Sequence, residues 1–306
     1  MNASSEVTQG MLLHTPVKVL ISVLPCMLFL YVNFVMLFAL LRKPLLLESS
    51  RYVLFGHLLL TDSLQLFCAM LMYIFAVAVV RMVSYVCVII VVFASITVKM
   101  SPLNLAVMSL ERYVAICFPL RHADIATTRR TGVAIAVMWT VGSFDSFIQL
   151  FLFVSLENTT VTMQKFCYRD SVFRLHIFST LNMIFTIVLF VLVSIVIIYT
   201  YIAIMVTLKS ASSNARNASK AHKTILLHMI QLGLYLTSIL FNTINSSSQW
   251  YIPSNIAVHV QYALFVSLMI FPKFLSPLIY GLRDTTFKHI FRHYFTFGCK
   301  TTTITF

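Results

Sequence analysis

The chain is 306 residues long, 59% hydrophobic and only 10% charged, with 22 Lys+Arg against 9 Asp+Glu and a formal net charge of +13. Soluble domains run about 45–50% apolar and about 25% charged, so a mean hydropathy of +0.91 excludes a soluble globule, a disordered chain, a DNA-binding fold and a cytosolic enzyme. At about 20 residues per spanning helix, this length holds roughly seven or eight spans, short loops and no large soluble domain.

The first residues, MNASSEVTQG, are polar and lack a basic leader, so no cleaved signal peptide is expected and the first span itself directs insertion. Seven apolar stretches follow, at 17–41, 52–79, 85–116, 133–156, 175–208, 225–244 and 256–282. Each reaches the ~20 residues that cross ~30 Å of hydrocarbon. Lipid forces each into a helix, because backbone amides must be satisfied within their own segment. No internal repeat and no pair of matching halves of the transporter kind is visible. After the last span, Phe287, Ile290, Phe291, Tyr294 and Phe295 fall on one stripe, while Lys288, His289, Arg292 and His293 take the other face. With Asp284 as N-cap, this predicts a short helix lying on the inner membrane surface. Cys299 beyond it is either palmitoylated or an ordinary tail thiol.

The expected architecture is an all-α membrane protein: a seven-transmembrane-helix bundle with a short amphipathic eighth helix at the inner membrane face. Residues 1–16 form the extracellular N-terminus, 17–282 the bundle, and 283–306 the cytoplasmic amphipathic helix and tail. Of the 22 Lys and Arg, 15 fall on the loops after spans one, three and five and on the tail; 5 fall on the opposite side, and Lys99 and Lys273 lie within spans. The positive-inside rule then puts the N-terminus outside and the C-terminus in the cytoplasm. The basic excess marks topology and attraction to anionic membrane lipid rather than to nucleic acid. Glycosylation sequons at Asn2 and Asn158 fall outside and Asn245 sits near an outer helix end, but Asn217 falls inside. The motif therefore supports this topology weakly.

Six cysteines without a CxxC pair give no zinc motif, and no metal or other cofactor is called for. Cys87 and Cys167 both lie on the oxidising outer side, where a disulfide between them would pin the loop over the bundle mouth. Two free thiols are the alternative. Cys26, Cys68 and Cys117 read as small packing residues. Inside the spans lie Asp62, Lys99, Asp145 and Lys273. Each costs about 2.5–3.5 kcal/mol at a helix centre, so they must be paired or hydrated. Two acids and two bases allow two neutral pairs; a wet cavity without specific partners is the alternative. Lys99 lies 12 residues after Cys87, about 18 Å along a helix, and Asp145, six residues outward of Trp139, has a comparable depth, so the two are expected to form one buried pair in the outer half.

Glu111-Arg112-Tyr113 stands 25 residues, roughly 37 Å of helix, below Cys87. Alone, an acid followed by an arginine at an interface is a snorkelling pair. Its surroundings say more. Leu105-Ala-Val-Met-Ser-Leu-Glu-Arg-Tyr-Val-Ala-Ile-Cys-Phe-Pro-Leu-Arg-His122 resembles the inner end of the third helix of odorant receptors, which are rhodopsin-like G-protein-coupled receptors. Lys220-Ala-His-Lys-Thr224 with His228 resembles that family's entry to helix six, and 276–284, Ser-Pro-Leu-Ile-Tyr-Gly-Leu-Arg-Asp, its helix-seven end. Asn33, Asp62, Trp139 and the Cys87–Cys167 pair stand where the superfamily has such residues, and the stretch from Ser49 to Asp62 looks most like the fish type. The resemblance covers essentially the whole chain.

There are departures. Glu111 replaces the usual Asp, Ser276 replaces the Asn or Asp before Pro277, the loop of Cys167 holds a single cysteine, and helix six has Tyr235 and Leu236 but no Pro or Trp. Ala94 stands where amine receptors have Asp, and Ile270 where opsins have the retinal lysine, so neither ligand is expected.

The resemblance implies a receptor, not an enzyme, that binds a small-molecule odorant in the bundle and activates a heterotrimeric G protein, of the olfactory stimulatory type that raises cyclic AMP. A multi-pass place in the plasma membrane follows. The ligand would be lined by Ala94, Ser95, Val98, Lys99, Asp145, Asn182, Met183, Ile239, Leu240 and Thr243. Coupling and activation would involve Glu111, Arg112, Tyr113, His228, Pro277 and Tyr280, with a buried polar switch of Asn33, Asp62, Ser101, Lys273 and Ser276. The superfamily also often holds a sodium ion at the helix-two carboxylate. Lys273, one turn outward of Pro277, predicts an ion pair with Asp62 in its place; a Lys273 turned to lipid or to the ligand pocket is the alternative. The alternatives are a rhodopsin-like receptor for a non-odorant ligand and, less in keeping with the missing repeats, a seven-helix transporter or channel.

Overall fold

The computed structural model describes residues 23–77, 84–156, 167, 172, 173 and 175–210, with single positions 226, 229, 230, 233, 234, 237, 267, 271 and 273 beyond them. In chain order the elements are α1 (Val23–Leu41), the short α2 (Pro44–Leu47), α3 (Ser50–Val77), α4 (Ser84–Cys117), a 3-10 turn (Pro119–Arg121), the short α5 (His122–Ile125), α6 (Thr128–Leu156) and α7 (His176–Ser210). No strand occurs among the described residues. Helices α1, α3, α4, α6 and α7 are each long and apolar enough to cross a membrane, and they correspond to the first five predicted spans. The sixth and seventh spans, the amphipathic segment after 282 and the N-terminal 1–16 lie outside the described residues, apart from the single positions above.

Two helices begin earlier than hydropathy alone indicates. α6 starts at Thr128, five residues before the apolar stretch. Thr127 supplies the reason: its Oγ1 accepts from Arg130 N at 3.3 Å, and its carbonyl accepts from Thr131 N and Thr131 Oγ1 at 3.0 Å. This is an N-cap followed by a polar turn, and such a turn carries no apolar signal. α3 likewise starts at Ser50, with the Ser49 carbonyl accepting from Tyr52 N. α4 runs unbroken through Pro102, which removes one backbone donor from the interior of a 34-residue helix.

α4 is the central helix, packing against α3, α6 and α7. One core gathers Leu40, Leu54, Phe55, Leu58, Leu105, Met108, Met138, Val193 and Ile197 in the half of the bundle that carries Glu111. A second lies at the Cys87 end, from Cys87, Val88, Val91, Phe153, Cys167, Val172, Phe173 and Phe178. There the Phe173 ring stands 5.0 Å from Phe178 and 5.7 Å from Phe153, joining the loop to α7 and α6. Along α7 the apolar side chains Ile184, Ile187, Val188, Val191, Leu192, Ile195, Ile198 and Ile202 are exposed, which in lipid carries no hydrophobic cost. Gly142 sets the approach of α6 to α4: a Cβ there would run into the Met100 side chain, with Leu103 and Lys99 close behind. That closeness brings the next turn of α6 against the polar middle of α4.

Candidate functional site

Cys87 and Cys167 form a disulfide, with their Cα atoms 5.7 Å apart across a sequence separation of 80. The two-thiol alternative is thereby removed. From this end inward, the first polar layer is Lys99 on α4 with Asp145 on α6, an ion pair between side chains 11% and 2% exposed. Gln149, one turn along α6, donates from Nε2 to the same Asp145 oxygen at 3.2 Å. Gly142, Asp145, Ser146, Gln149 and Phe153 are all buried, so this face of α6 holds a carboxylate and its amide support within apolar packing. The spacing of Asp145 and Gln149, four residues apart, places both on one face.

A second layer lies between α3, α4 and position 273. Lys273 Nζ donates to Asp62 Oδ1 at 2.8 Å and also bonds Gln65 Oε1, while Ser101 Oγ donates to Asp62 Oδ1. The Lys273 and Asp62 side chains are 1% and 2% exposed. The predicted pair is therefore present, and the fully buried charges stand as two neutral couples rather than in an unpartnered wet cavity. A sodium ion does not fit these residues. The ammonium already neutralises Asp62, and the hydroxyl that would serve as a second ligand is turned to the same oxygen. On α1, Asn33 Nδ2 donates to Ser63 Oγ at 3.1 Å, beside Asp62 in sequence but not bonded to it.

A third layer, toward Glu111, is uncharged. Trp139 Nε1 donates to His57 Nε2 at 3.0 Å, and Asn104 Nδ2 donates to the Leu54 carbonyl at 3.2 Å while lying 3.0 Å from His57 Nδ1. Helices α3, α4 and α6 are thus tied at this depth by one histidine.

The Glu111 end is held more loosely. Glu111 Oε2 lies 3.6 Å from Arg112 Nε, and Glu111 Oε1 lies 3.3 Å from His122 Nε2 on α5. Arg112 Nη2 is buried without a hydrogen-bond partner among the described residues. The Tyr113 ring packs 5.7 Å from Phe118 and 5.9 Å from Tyr199 of α7, and Cys117 Sγ is 3.2 Å from Thr207 Oγ1. The arrangement can hold Arg112 beside an acid without saturating it.

Of the ligand-lining residues expected from the sequence, Ala94, Ser95 and Val98 are half-buried on the α4 turns leading to Lys99, and Asn182 is half-buried on α7. Met183 is 40% exposed on α7. Ile239, Leu240, Thr243, His228, Ser276, Pro277, Tyr280, Asn2 and Asn158 lie outside the described residues. Gln65, Gln149, His57, Asn104 and His122 were not singled out from the sequence. A signal for two of them was there: Gln65 and Gln149 stand three and four residues after an intramembrane acid, on the same helical face. His57 needed knowledge of which helix faces it.

The chain resembles known proteins over most of its length. The family model for the seven-transmembrane receptor (rhodopsin family) matches residues 12–280. Odorant receptor 131-2 of Danio rerio is 32% identical over 295 residues, covering 91% of this chain and 84% of the zebrafish protein. The human olfactory receptor 2M3 is 30% identical over 188 residues, 59% of this chain and 58% of that receptor. The rat olfactory receptor 1073 is 24% identical over 215 residues, 68% of this chain and 67% of its own length.

Proposed function

Since the chain belongs to the rhodopsin family of seven-transmembrane receptors, we propose that it is an odorant receptor of the plasma membrane, binding a small molecule in the Cys87 half of the bundle and activating a heterotrimeric G protein at the Glu111 end. The N-terminus and the Cys87–Cys167 disulfide face outward, and the tail after 282 is cytoplasmic. The observation that carries this is the layout of α4. A disulfide tops the helix, a buried ion pair lies about 18 Å below it, and Arg112, whose buried Nη2 has no hydrogen-bond partner among the described residues, stands about 20 Å further on. One rigid element thus links a polar layer able to border a ligand with a charge able to meet a protein.

In this mechanism the ligand sits among Ala94, Ser95, Val98, Lys99, Asp145, Asn182 and Met183 of the described helices, completed by Ile239, Leu240 and Thr243 from the sixth span. A ligand acts only through differential affinity for two arrangements of the bundle. The inactive one keeps Arg112 beside Glu111; the active one moves the sixth span outward and releases Arg112 to the G protein. Asn33, Asp62, Ser101, Lys273 and Ser276 act as the buried polar switch, and Glu111, Arg112, Tyr113, His228, Pro277 and Tyr280 serve coupling and activation. The G protein is the stimulatory olfactory type, so the readout is cyclic AMP. The test is an odorant panel in transfected cells expressing wild type or Arg112→Ala at matched surface level. Agonist-dependent cyclic AMP in the wild type alone is the expected result; equal responses from both would overturn the assignment.

A further inference from the structure

Glu111 is shared by two basic side chains, and only one of them carries a fixed charge. α4 ends at Cys117 and the chain turns at once: Pro119 opens the 3-10 turn, Arg121 N donates to the Phe118 carbonyl at 3.1 Å, and the Phe118 ring packs 5.7 Å from Tyr113. The turn delivers His122, the first residue of α5, back alongside α4, where its Nε2 lies 3.3 Å from Glu111 Oε1. Arg112 Nε lies 3.6 Å from the other carboxylate oxygen, beyond hydrogen-bond length, and its buried Nη2 has no hydrogen-bond partner among the described residues. An arginine keeps its charge throughout the physiological range, whereas histidine is the side chain that changes charge between about pH 5 and 8. The His122 side chain is 34% exposed against 9% for Glu111 and 15% for Arg112, so the ring is the member of the trio most open to water.

An ionised carboxylate can only accept hydrogen bonds, so His122 Nε2 carries a hydrogen even when the ring is neutral. A second proton then goes to Nδ1 and turns the same contact into a charge-assisted one without rearrangement. Two cations now share one carboxylate. The imidazolium strengthens its own hold on Glu111 and repels the guanidinium, whose contact is the longer. The converse also holds: once Arg112 has left, the carboxylate beside His122 is uncompensated and the repelling charge is gone, so the ring binds its proton more tightly. Coupling of this kind is reciprocal, and acid therefore favours the arrangement with Arg112 released. α5 packs against α4 and the 3-10 turn. The other titratable or charged groups these elements bring to this end are Tyr113 and Cys117 from α4, Arg121 from the turn and Asp124 from α5 itself. Arg121 and Asp124 are exposed and opposite in sign, which leaves Glu111 and Arg112 as the charges that govern the proton on His122.

We infer that His122 is a proton sensor on the G-protein side of the receptor: its protonation loosens Arg112 from Glu111 and raises coupling as the medium at that face acidifies. The coupling step rests on the proposed receptor function; the proton linkage among His122, Glu111 and Arg112 does not. His122 is a positioning residue here, acting on Arg112 through Glu111. The effect resides in the charge at position 122 rather than in the imidazole as such. His122→Lys is then fixed in the acid form and His122→Gln in the neutral one.

The experiment uses full-length receptor in lipid nanodiscs, without ligand, and measures basal nucleotide exchange on the olfactory stimulatory G protein between about pH 6 and 8. Dividing each rate by that of His122→Gln at the same pH removes the G protein's own pH response. The wild-type ratio is expected to rise about fivefold from the alkaline to the acid end, while His122→Lys stays high throughout. A wild type that tracks His122→Gln at every pH overturns the inference. A second measurement needs no G protein: histidine ring NMR of the receptor, with the His122 signal assigned by its loss in His122→Gln or, should that variant fail to fold, in His122→Asn. Its titration midpoint is expected to rise by about half a pH unit or more in Arg112→Ala and to fall in Glu111→Gln. A midpoint that neither variant moves overturns the inference and leaves His122 a structural residue. Midpoints that move as expected in a receptor driving no nucleotide exchange at any pH would sustain the proton linkage and overturn the proposed receptor function instead.

Discussion

The two ends of α4 are built on opposite principles. At the Cys87 end a covalent bond, three aromatic rings and a buried ion pair hold the loop, α6 and α7 against the helix. At the Glu111 end the Glu111–Arg112 contact is long at 3.6 Å, His122 competes for the same carboxylate, and Arg112 Nη2 has no partner among the described residues. Fixed geometry suits a site that must discriminate small molecules. A charge that is near an acid but not saturated by it costs little to release. The contrast is between a region held by a covalent bond and a buried ion pair and one whose charge sits in a long, shared contact.

The comparison is tested most severely at the covalent end. Cys87→Ser and Cys167→Ser each open a loop of 80 residues, for which chain entropy alone gives about 4.5 kcal/mol. Surface expression measured by antibody labelling should collapse equally in both, and the double variant should be no worse than either single. Additive losses would contradict the bond. Next in size is the ion pair: Lys99→Met or Asp145→Leu should cost about 3–5 kcal/mol, and the double variant should recover most of that. Thermal melting of detergent-purified protein reads both, and a double variant worse than either single would show that the pair is not the relevant unit.

A smaller effect is expected in the second polar layer. Because Lys273 neutralises Asp62, replacing choline by sodium should leave the melting of the wild type unchanged. Lys273→Met should make the protein sodium-sensitive, by about 1.4 kcal/mol at a sodium concentration ten times its Kd. Sodium stabilisation of the wild type itself would contradict the substitution of ammonium for ion. The smallest effect on folding belongs to Arg112→Ala, because its contact with Glu111 is long at 3.6 Å and His122 Nε2 stays 3.3 Å from the same carboxylate. Its melting should fall by less than that of either ion-pair variant, while agonist-stimulated cyclic AMP is removed altogether. If the variant melts several degrees lower, Arg112 is structural and the contrast between the two ends fails.

Much of this was legible in the chain itself. Five described spans lie where the apolar stretches place them, because lipid leaves a run of ~20 apolar residues no other state. The charges inside them were recognisable as groups that must be paired or hydrated, because the membrane interior does not tolerate their cost. Helix starts were misjudged where a cap rather than hydropathy decides them, as at Thr127 and Thr128. Gln65 and Gln149 announced themselves only by standing one turn from an acid, and His57 and His122 not at all.

The sequence determined how many charges the membrane interior must balance, at what depth each sits along its helix, and that acids and bases are equal in number there. Charge arithmetic alone could not determine which acid meets which base, since both lysines and both aspartates satisfy it; depth along the helices and the family resemblance pointed to Lys99 with Asp145 and Lys273 with Asp62. Tertiary packing makes the contacts real: Gly142 lets α6 approach α4 closely enough to join Asp145 to Lys99, and the meeting of α3 with position 273 joins Asp62 to Lys273 across 211 residues. Hydropathy is a property of each segment against lipid and is written locally. Pairing is a property of which helix faces which, and comes into being only when the helices pack.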